Sequence, residues 1–228
     1  MYICGLGLYA KGALIISDVH IGYEEALNKQ GILIPRTQFK EITKSWDRVI
    51  QELDGNKISR IIINGDLKHE FGTISETEWR NTLKFLDLIG KTCEKITLIR
   101  GNHDTNLGPI ARKRNVDIKD SCKVEDILVM HGDSLPENST GIKAIIIGHE
   151  HPAVSLREGA RIETFKCFIK GKWKGKEIIV TPSFSPIVQG TDILKEKLLS
   201  PFLKKVDDFD VFVAGDKIYE FGKVKNLR

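Results

Sequence analysis

The stretch ISRIIINGDLKH, residues 58–69, decides how this chain folds. It starts as an isoleucine-rich run and changes abruptly to glycine, charged residues and histidine. An apolar run without polar alternation is typical of a strand that is buried on both faces of a sheet. The sequence therefore predicts a central strand that ends near Asn64, with Asp66 and His69 just beyond its carboxyl end.

Four other segments repeat this pattern. Short runs of Ile, Leu, Val and similar residues lie at 13–17, 95–99, 127–130 and 144–147. The polar segments that follow them are DVH at 18–20, RGNHD at 100–104, HGD at 131–133 and GHEH at 148–151. Ligands bind outside the carboxyl ends of the strands in open α/β sheets, so we expect all five polar segments to line one crevice. Their glycines would allow tight turns and close backbone approach.

The residues between the runs predict helices and a second sheet. An apolar face over residues 35–53 and a capping box of Ser75 and Glu78 predict two helices between the first three strands. This alternation predicts right-handed crossovers and a mainly parallel sheet. After about residue 115, short strands and turns predict a second, mixed or antiparallel sheet packed on the first. No composition break marks a boundary, so we expect one domain over residues 1–228.

Three local features are also predicted. Residues 2–9 and 13–17 are expected to pair as a hairpin, and residues 193–198 to form a short helix. The segment KGKWKGK at 170–176 fits either a basic loop that contacts a polynucleotide or a solvated hairpin turn. The hairpin turn is the favoured interpretation.

Composition excludes several classes of protein. The 228 residues are 41% hydrophobic and 29% charged, which argues against a disordered or fibrous chain. A formal net charge of +4 permits an anionic substrate but does not indicate a nucleic-acid partner, which requires clustered charge. Four separated cysteines, no secretion signal and no apolar run of membrane-spanning length favour a cytoplasmic protein without a membrane partner.

The histidines are confined to the polar segments. All six, at positions 20, 69, 103, 131, 149 and 151, follow a predicted strand. Imidazole, carboxylate and carboxamide ligands without thiolate suit a divalent ion. Because the candidates outnumber the four ligands of one tetrahedral site, we expect two ions. Manganese is favoured, with iron, zinc, nickel or cobalt as alternatives. Paired ions are a standard device for phosphoryl transfer.

In order and spacing, the polar segments resemble the calcineurin-like metallophosphoesterase superfamily. The matching motifs are Asp18-x-His20, Gly65-Asp66-x-x-His69, Gly101-Asn102-His103-Asp104, His131-Gly132-Asp133 and Gly148-His149-x-His151. The segments DVHIGYE from Asp18 and GILIPR from Gly31 resemble a narrower group, the small SbcD-related phosphoesterases of archaea and the DNA-ligase-associated phosphoesterases of bacteria. The resemblance implies an α/β fold, an α/β/β/α sandwich of two mixed sheets flanked by helices.

The resemblance also implies a role for each matched residue. The first ion would be bound by Asp18, His20, Asp66 and His151. The second ion would be bound by Asp66, Asn102, His131 and His149, with Asp66 as the bridge. His103 would stabilise the transition state or protonate the leaving oxygen, and Asp104 would orient His103 through a hydrogen bond. His69 would lie beside the phosphate and help to position a nucleic-acid backbone.

The implied activity is hydrolysis of a phosphodiester by a hydroxide that bridges the two ions. A nuclease acting on DNA or RNA is preferred because of His69 and the SbcD-like motifs. A small-molecule phosphatase or a nucleotide or cyclic-nucleotide phosphodiesterase is the alternative. A non-catalytic binding scaffold is less favoured, since every matched ligand position is filled. The sequence indicates no protein partner.

Overall fold

The computed structural model describes residues 1–72, 74–104, 107–114 and 116–228. Its helices are α1 Tyr23–Lys29, α2 Gln38–Glu52, α3 Glu76–Gly90 and α4 Gly108–Arg114, with a 3₁₀ helix at Val224–Asn226. Its strands are β1 Tyr2–Cys4, β2 Gly7–Ala10, β3 Ala13–Ser17, β4 Arg60–Asn64, β5 Ile96–Ile99, β6 Asp117–Lys119, β7 Ser121–Val124, β8 Ile127–Met130, β9 Ala144–Ile147, β10 Pro152–Glu158, β11 Arg161–Trp173, β12 Lys176–Val180, β13 Thr191–Asp192, β14 Asp210–Ala214 and β15 Ile218–Lys223.

The described strands form two sheets. The first has the order β1-β2-β3-β4-β5-β6, with β3 to β6 parallel and β1 and β2 antiparallel at one side. The second has the order β13-β10-β11-β12-β9-β8-β7, and β14 and β15 are attached through β11. Strands β8, β9 and β12 of this sheet run parallel, while β11 and β14 are antiparallel to their neighbours. Both sheets therefore bring the carboxyl ends of adjacent strands together, as predicted.

The central strands are apolar throughout because both of their faces are buried. In β3, Leu14 and Ile16 pack towards α2 and α3, whereas Ile15 packs between the sheets. In β9, Ile146 also lies between the sheets, and its neighbours Ile145 and Ile147 face outwards into a separate core. Residues 202–209 and the 3₁₀ helix contribute to the cover of this outer face. The predicted α/β/β/α sandwich of two mixed sheets is confirmed.

The predicted hairpin with residues 13–17 is confirmed, since β2 pairs antiparallel with β3 and Leu8 lies opposite Ile15. Residues 2–9, however, do not form one strand but contribute to β1 and β2, which pair with each other around Gly5, a residue with φ of 51°.

One further local prediction was wrong. Residues 193–198, all of which the structure describes, form turns and irregular backbone instead of a helix. One turn begins there, in which the Asp192 carbonyl accepts from the Glu196 amide at 2.8 Å. The chain does not continue as a helix, and the amides of Leu199 and Ser200 donate to the Glu150 carboxylate at 2.7 and 2.8 Å instead.

The segment at 170–176 forms a hairpin. Lys170 to Trp173 complete β11 and Lys176 begins β12. The Lys170 ammonium pairs with Glu177 at 2.8 Å, and the Trp173 ring packs 4.9 Å from Phe202. The favoured interpretation of this segment agrees with the structure. None of the helices in the described part of the chain is both long and apolar enough to cross a membrane.

Candidate metal centre

The predicted site residues follow β3, β4, β5, β8 and β9 and gather at the carboxyl ends of these strands. Backbone bonds hold two of the turns side by side. The Asp18 amide donates to the Gly65 carbonyl at 3.1 Å, and the His20 amide donates to the Asp66 carbonyl at 2.9 Å. The pairing of β3 with β4 thus continues past both strands and brings the two aspartates together.

The backbone of these turns is strained. Asp18, His20, Asp66, His149 and His151 have φ angles between 45° and 62°, the left-handed region that residues with a Cβ rarely adopt. Each such residue costs on the order of 1–3 kcal/mol, and such strain clusters at functional sites. These turns therefore lower the stability of the folded protein, and they direct carboxylates and imidazoles into the same space.

Two glycines leave room for the carboxylates. A Cβ atom at Gly101 would collide with the carboxylate of Asp66, and one at Gly148 would collide with that of Asp18. The predicted close approach at these glycines is confirmed. Each glycine lets a neighbouring turn pack directly onto a candidate metal ligand.

The residues expected at the first ion form one cluster. Ligand atoms of Asp18, His20, Asp66 and His151 all lie within 4.8 Å of one another. His20 Nε2 is 3.7 Å from Asp66 Oδ2 and 3.4 Å from His151 Nε2. His151 Nε2 is 3.3 Å from Asp18 Oδ1. These atoms face a common space in which a cation could be held.

The residues expected at the second ion lie next to this cluster. His131 Nε2 is 2.9 Å from Asn102 Oδ1, 3.1 Å from His149 Nδ1 and 3.7 Å from Asp66 Oδ2. Asp66 Oδ2 therefore lies equally close to His20 of the first group and to His131 of the second. A carboxylate that is shared by two ions must contact both groups of ligands in this way.

His69 and His103 lie against the first cluster. Their rings are 5.4 Å and 5.0 Å from the His20 ring, and ligand atoms of all three histidines lie within 4.8 Å of one another. His103 Nδ1 donates to the His69 carbonyl at 2.5 Å, which leaves Nε2 facing Asp66 Oδ2 at 3.9 Å. The structure thus places His103 where its free nitrogen can reach a group held beside Asp66.

The hydrogen bond predicted between the Asp104 carboxylate and the His103 ring does not form among the described residues, so this prediction is corrected. The buried Asp104 carboxylate instead accepts from the amides of Gly101 and Leu67, each at 3.1 Å. Burial raises the pKa of Asp104 to about 7. The residue next to His103 in sequence instead ties the turn after β5 to the turn after β4.

Burial sets the electrostatics of the site. Burial, which solvates a charge poorly, and repulsion from the nearby Asp18 and Asp104 carboxylates together raise the pKa of Asp66 to about 9. Burial lowers the pKa of His69 to about 4 and also lowers the pKa values of His20 and His131. Without a cation, burial therefore favours the neutral forms of Asp66, His20 and His131.

The ligand set fits divalent ions. Asp18 Oδ1 and His131 Nδ1 lie 3.5 Å apart, and both are buried without a hydrogen-bond partner among the described atoms. Most buried polar atoms in proteins are paired, so an unpaired carboxylate oxygen beside an unpaired imidazole nitrogen fits a site that binds a cation. Nitrogen and oxygen donors without thiolate suit manganese, iron and zinc among others.

Three supporting residues were not predicted. The Gln38 side chain donates to the His20 carbonyl at 2.7 Å and accepts from the Gly22 amide at 3.1 Å. Lys68 is fully buried and donates to the His103 carbonyl at 2.6 Å. The only signal in the sequence for Lys68 is its position inside the Gly65–His69 motif.

Glu78 is the third supporting residue. Ser75 caps α3 by accepting from the Glu78 amide at 3.1 Å, as the capping box predicts. The Glu78 carboxylate, however, accepts from the amides of His69 and Glu70 at 2.9 and 3.0 Å. The N-terminus of α3 thereby anchors the turn that carries His69.

Comparison with known proteins gives a family match over most of the chain. The family model described as calcineurin-like phosphoesterase matches residues 13–219. The crystal structure of the nuclease MPE of Pseudomonas putida superposes with a TM-score of 0.67 at 20% identity, covering 95% of this chain and 92% of that chain. The phosphoesterase Yfce of E. coli has a TM-score of 0.39 and 13% identity, with 95% and 94% of the two chains covered. The superposition on the MPE nuclease supports the fold described above. The TM-score of Yfce is too low to support a conclusion. No curated protein gave a significant match.

Proposed function

The chain belongs to the calcineurin-like phosphoesterase family and is a metal-dependent hydrolase, and we propose that it hydrolyses phosphodiesters with two divalent ions bound. Manganese is our preferred metal and a nucleic-acid strand our preferred substrate. The residue roles given below, the narrower relationship to the SbcD-related group, the single domain and the cytoplasmic location belong to the same proposal.

The position of Asp66 carries the proposal. Its Oδ2 atom lies 3.7 Å from a ring nitrogen of His20, in the first group of ligands, and 3.7 Å from a ring nitrogen of His131, in the second. Two ligand groups that share one carboxylate are what two adjacent ions require, whereas a single tetrahedral ion needs only four ligands. This arrangement favours a two-ion hydrolase over a structural metal site or a binding scaffold.

Each residue contributes in a different way. Asp18, His20, Asp66 and His151 would hold one ion, and Asp66, Asn102, His131 and His149 the other. When bound, the ions would neutralise the phosphate charge and lower the pKa of water. His103 would hold or deliver a proton at Nε2, because its Nδ1 is engaged by the His69 carbonyl. Asp104 and Lys68 would keep His103 in place through the backbone.

Two observations support nucleic acid among phosphodiesters. The His69 ring lies 5.2 Å from His103, where it could contact the phosphate or its neighbour along a strand. The MPE protein of Pseudomonas putida, which shares the fold of this chain, is a nuclease. This similarity concerns the fold and not the site residues.

A substrate panel tests the proposal. The protein is supplied with manganese and assayed on bis-p-nitrophenyl phosphate, p-nitrophenyl phosphate and single- and double-stranded oligonucleotides, with Asp66→Ala as the inactive control. Cleavage of the diester and of an oligonucleotide supports a nuclease. Activity on the monoester alone would replace it with a small-molecule phosphatase, and inertness on every substrate, with no metal bound, would leave a binding scaffold.

A further inference from the structure

A row of rings leads from the metal centre to the surface. The His20 ring lies 5.0 Å from the His103 ring, and the Phe71 ring lies 3.7 Å from His103 at an interplanar angle of 32°. Exposure rises along the row: His20 is 4% exposed, the His103 side chain 15% and Phe71 55%. Phe71 therefore continues the row outwards, with one face towards His103 and much of its ring in solvent.

The segment that carries Phe71 is anchored up to the preceding residue. The Glu70 amide donates to the buried Glu78 carboxylate at 3.0 Å, and the Glu70 carboxylate lies 3.6 Å from the Lys29 ammonium. Lys68 also donates to the Glu70 carbonyl. Exposure alone does not distinguish Phe71, because other large apolar side chains of the chain are at least as exposed. What distinguishes it is that its half-exposed ring lies against the His103 ring on a backbone that is anchored up to Glu70.

We propose that Phe71 is the platform on which a nucleobase stacks, the base of the nucleotide next to the scissile phosphate. The inference rests on the proposed function and narrows its substrate to unpaired nucleic acid, single strands or frayed ends. A base inside a duplex has both faces covered by its neighbours, whereas an unstacked base has a free face for an aromatic side chain.

Geometry fixes which nucleotide is involved. His103 Nε2 lies 3.9 Å from Asp66 Oδ2, so His103 borders the space where the reacting phosphate would lie. Phe71 is one ring further out, at 3.7 Å from His103. A base on Phe71 thus belongs to a nucleotide adjoining the reacting phosphate. Stacking on any base also predicts little sequence preference.

An abasic scan tests the inference. A labelled single-stranded oligonucleotide, and versions with one abasic residue at successive positions, are cleaved by the manganese-loaded protein. We expect the wild type to cleave the bond next to the abasic residue about tenfold or more slowly, the usual size of one base–aromatic stack. Phe71→Ala should abolish this difference, and Phe71→Trp should keep it. Phe221→Ala, which removes a ring that is 38% exposed elsewhere, is the matched control.

The outcomes separate the inference from the function. An abasic penalty that is unchanged in Phe71→Ala overturns the stacking role while the nuclease activity stands. Equal slowing of intact and abasic strands would show that Phe71 only supports His103, and also overturns it. Hydrolysis of bis-p-nitrophenyl phosphate without cleavage of any oligonucleotide excludes nucleic acid as substrate and this inference with it. Loss of all hydrolysis would contradict the proposed function itself.

Discussion

Asp66 has the most strongly shifted carboxyl pKa of the candidate metal centre. Its carboxylate is buried, accepts from the His103 amide at 2.9 Å and faces His20 and His131. Because burial raises its pKa to about 9, the carboxyl group is protonated at neutral pH when no cation is bound. A metal ligand must be deprotonated, so an arriving ion has to displace this proton.

We therefore expect manganese binding at pH 7.5 to release about one proton from the Asp66 carboxyl group per protein molecule, in addition to the proton lost by metal-bound water. His20 and His131 contribute little, since their lowered pKa values keep them neutral at this pH. The release should decline as the pH rises through about 9, the pKa of Asp66, because the carboxyl group is then already ionised. Titration calorimetry in buffers of different ionisation enthalpy measures the total release of the wild type and of Asp66→Asn under conditions where both bind manganese. Equal release from the two proteins would contradict the assignment.

His103→Ala separates proton transfer from metal binding. We expect the variant to keep its metal content and to lose about 10²–10⁴-fold in kcat, as is usual for loss of an acid–base group. Metal analysis and steady-state kinetics on bis-p-nitrophenyl phosphate check both parts. Full activity would exclude the catalytic role, and loss of metal would make His103 a ligand.

The sequence predicts which residues meet at this site better than it predicts how they point. The rule that ligands bind outside the carboxyl ends of the strands depends only on strand direction, and for that reason it predicts that the aspartates and histidines lie together. The orientation of Asp104 depends on the turn after β5, which folds the carboxylate back onto the amides of Gly101 and Leu67. The roles of Lys68 and Gln38 were not predicted, because they depend on the burial of these side chains between secondary-structure elements.

At the scale of elements, the predictions succeed where a strand or helix is strongly patterned. The central strands are apolar on both faces, and α2 and α3 carry clear apolar stripes. The seven-residue α1 and the strand β10, which passes from buried to exposed along its length, lack such patterns and were not predicted. α2 begins at Gln38, three residues after the predicted start at 35, where its amide donates to the Glu24 carboxylate at 2.8 Å.

The junction of α3 with the His69 turn can be tested through Glu78. Glu78→Ala would leave the amides of His69 and Glu70 without their acceptor, at a cost of about 1–3 kcal/mol for each buried group. Glu78→Gln keeps a carbonyl acceptor and should lose much less. Glu76→Ala, at an exposed position in the same helical turn, is the control. Urea unfolding gives the free energies, and equal losses for the alanine variants at 76 and 78 would argue against the anchor.

At the scale of the molecule, the two sheets share a core. Ile15 and Ile62 of the first sheet pack in one cluster with Ile146 and Ile179 of the second. The candidate metal centre also spans both sheets, since His131 Nδ1, which follows a strand of the second sheet, lies 3.5 Å from Asp18 Oδ1, which follows a strand of the first. Neither sheet can bury its inner face alone. We therefore propose that the chain unfolds as one domain.

Tryptophan fluorescence can follow the two sheets separately. Trp46 and Trp79 pack with the first-sheet core, and Trp173 packs with the core outside the second sheet. Trp173→Phe leaves reporters beside the first sheet, and Trp46→Phe with Trp79→Phe leaves one beside the second. In urea, both variants should give a single transition that coincides with the loss of circular dichroism.

Adding Ile146→Ala, which removes side-chain atoms from the shared core, should lower the free energy of unfolding by about 2–5 kcal/mol and shift the transitions of both reporters together. If Ile146→Ala shifted the Trp173 reporter and left the other unchanged, the sheets would be independent units, and the shared core would not join them energetically.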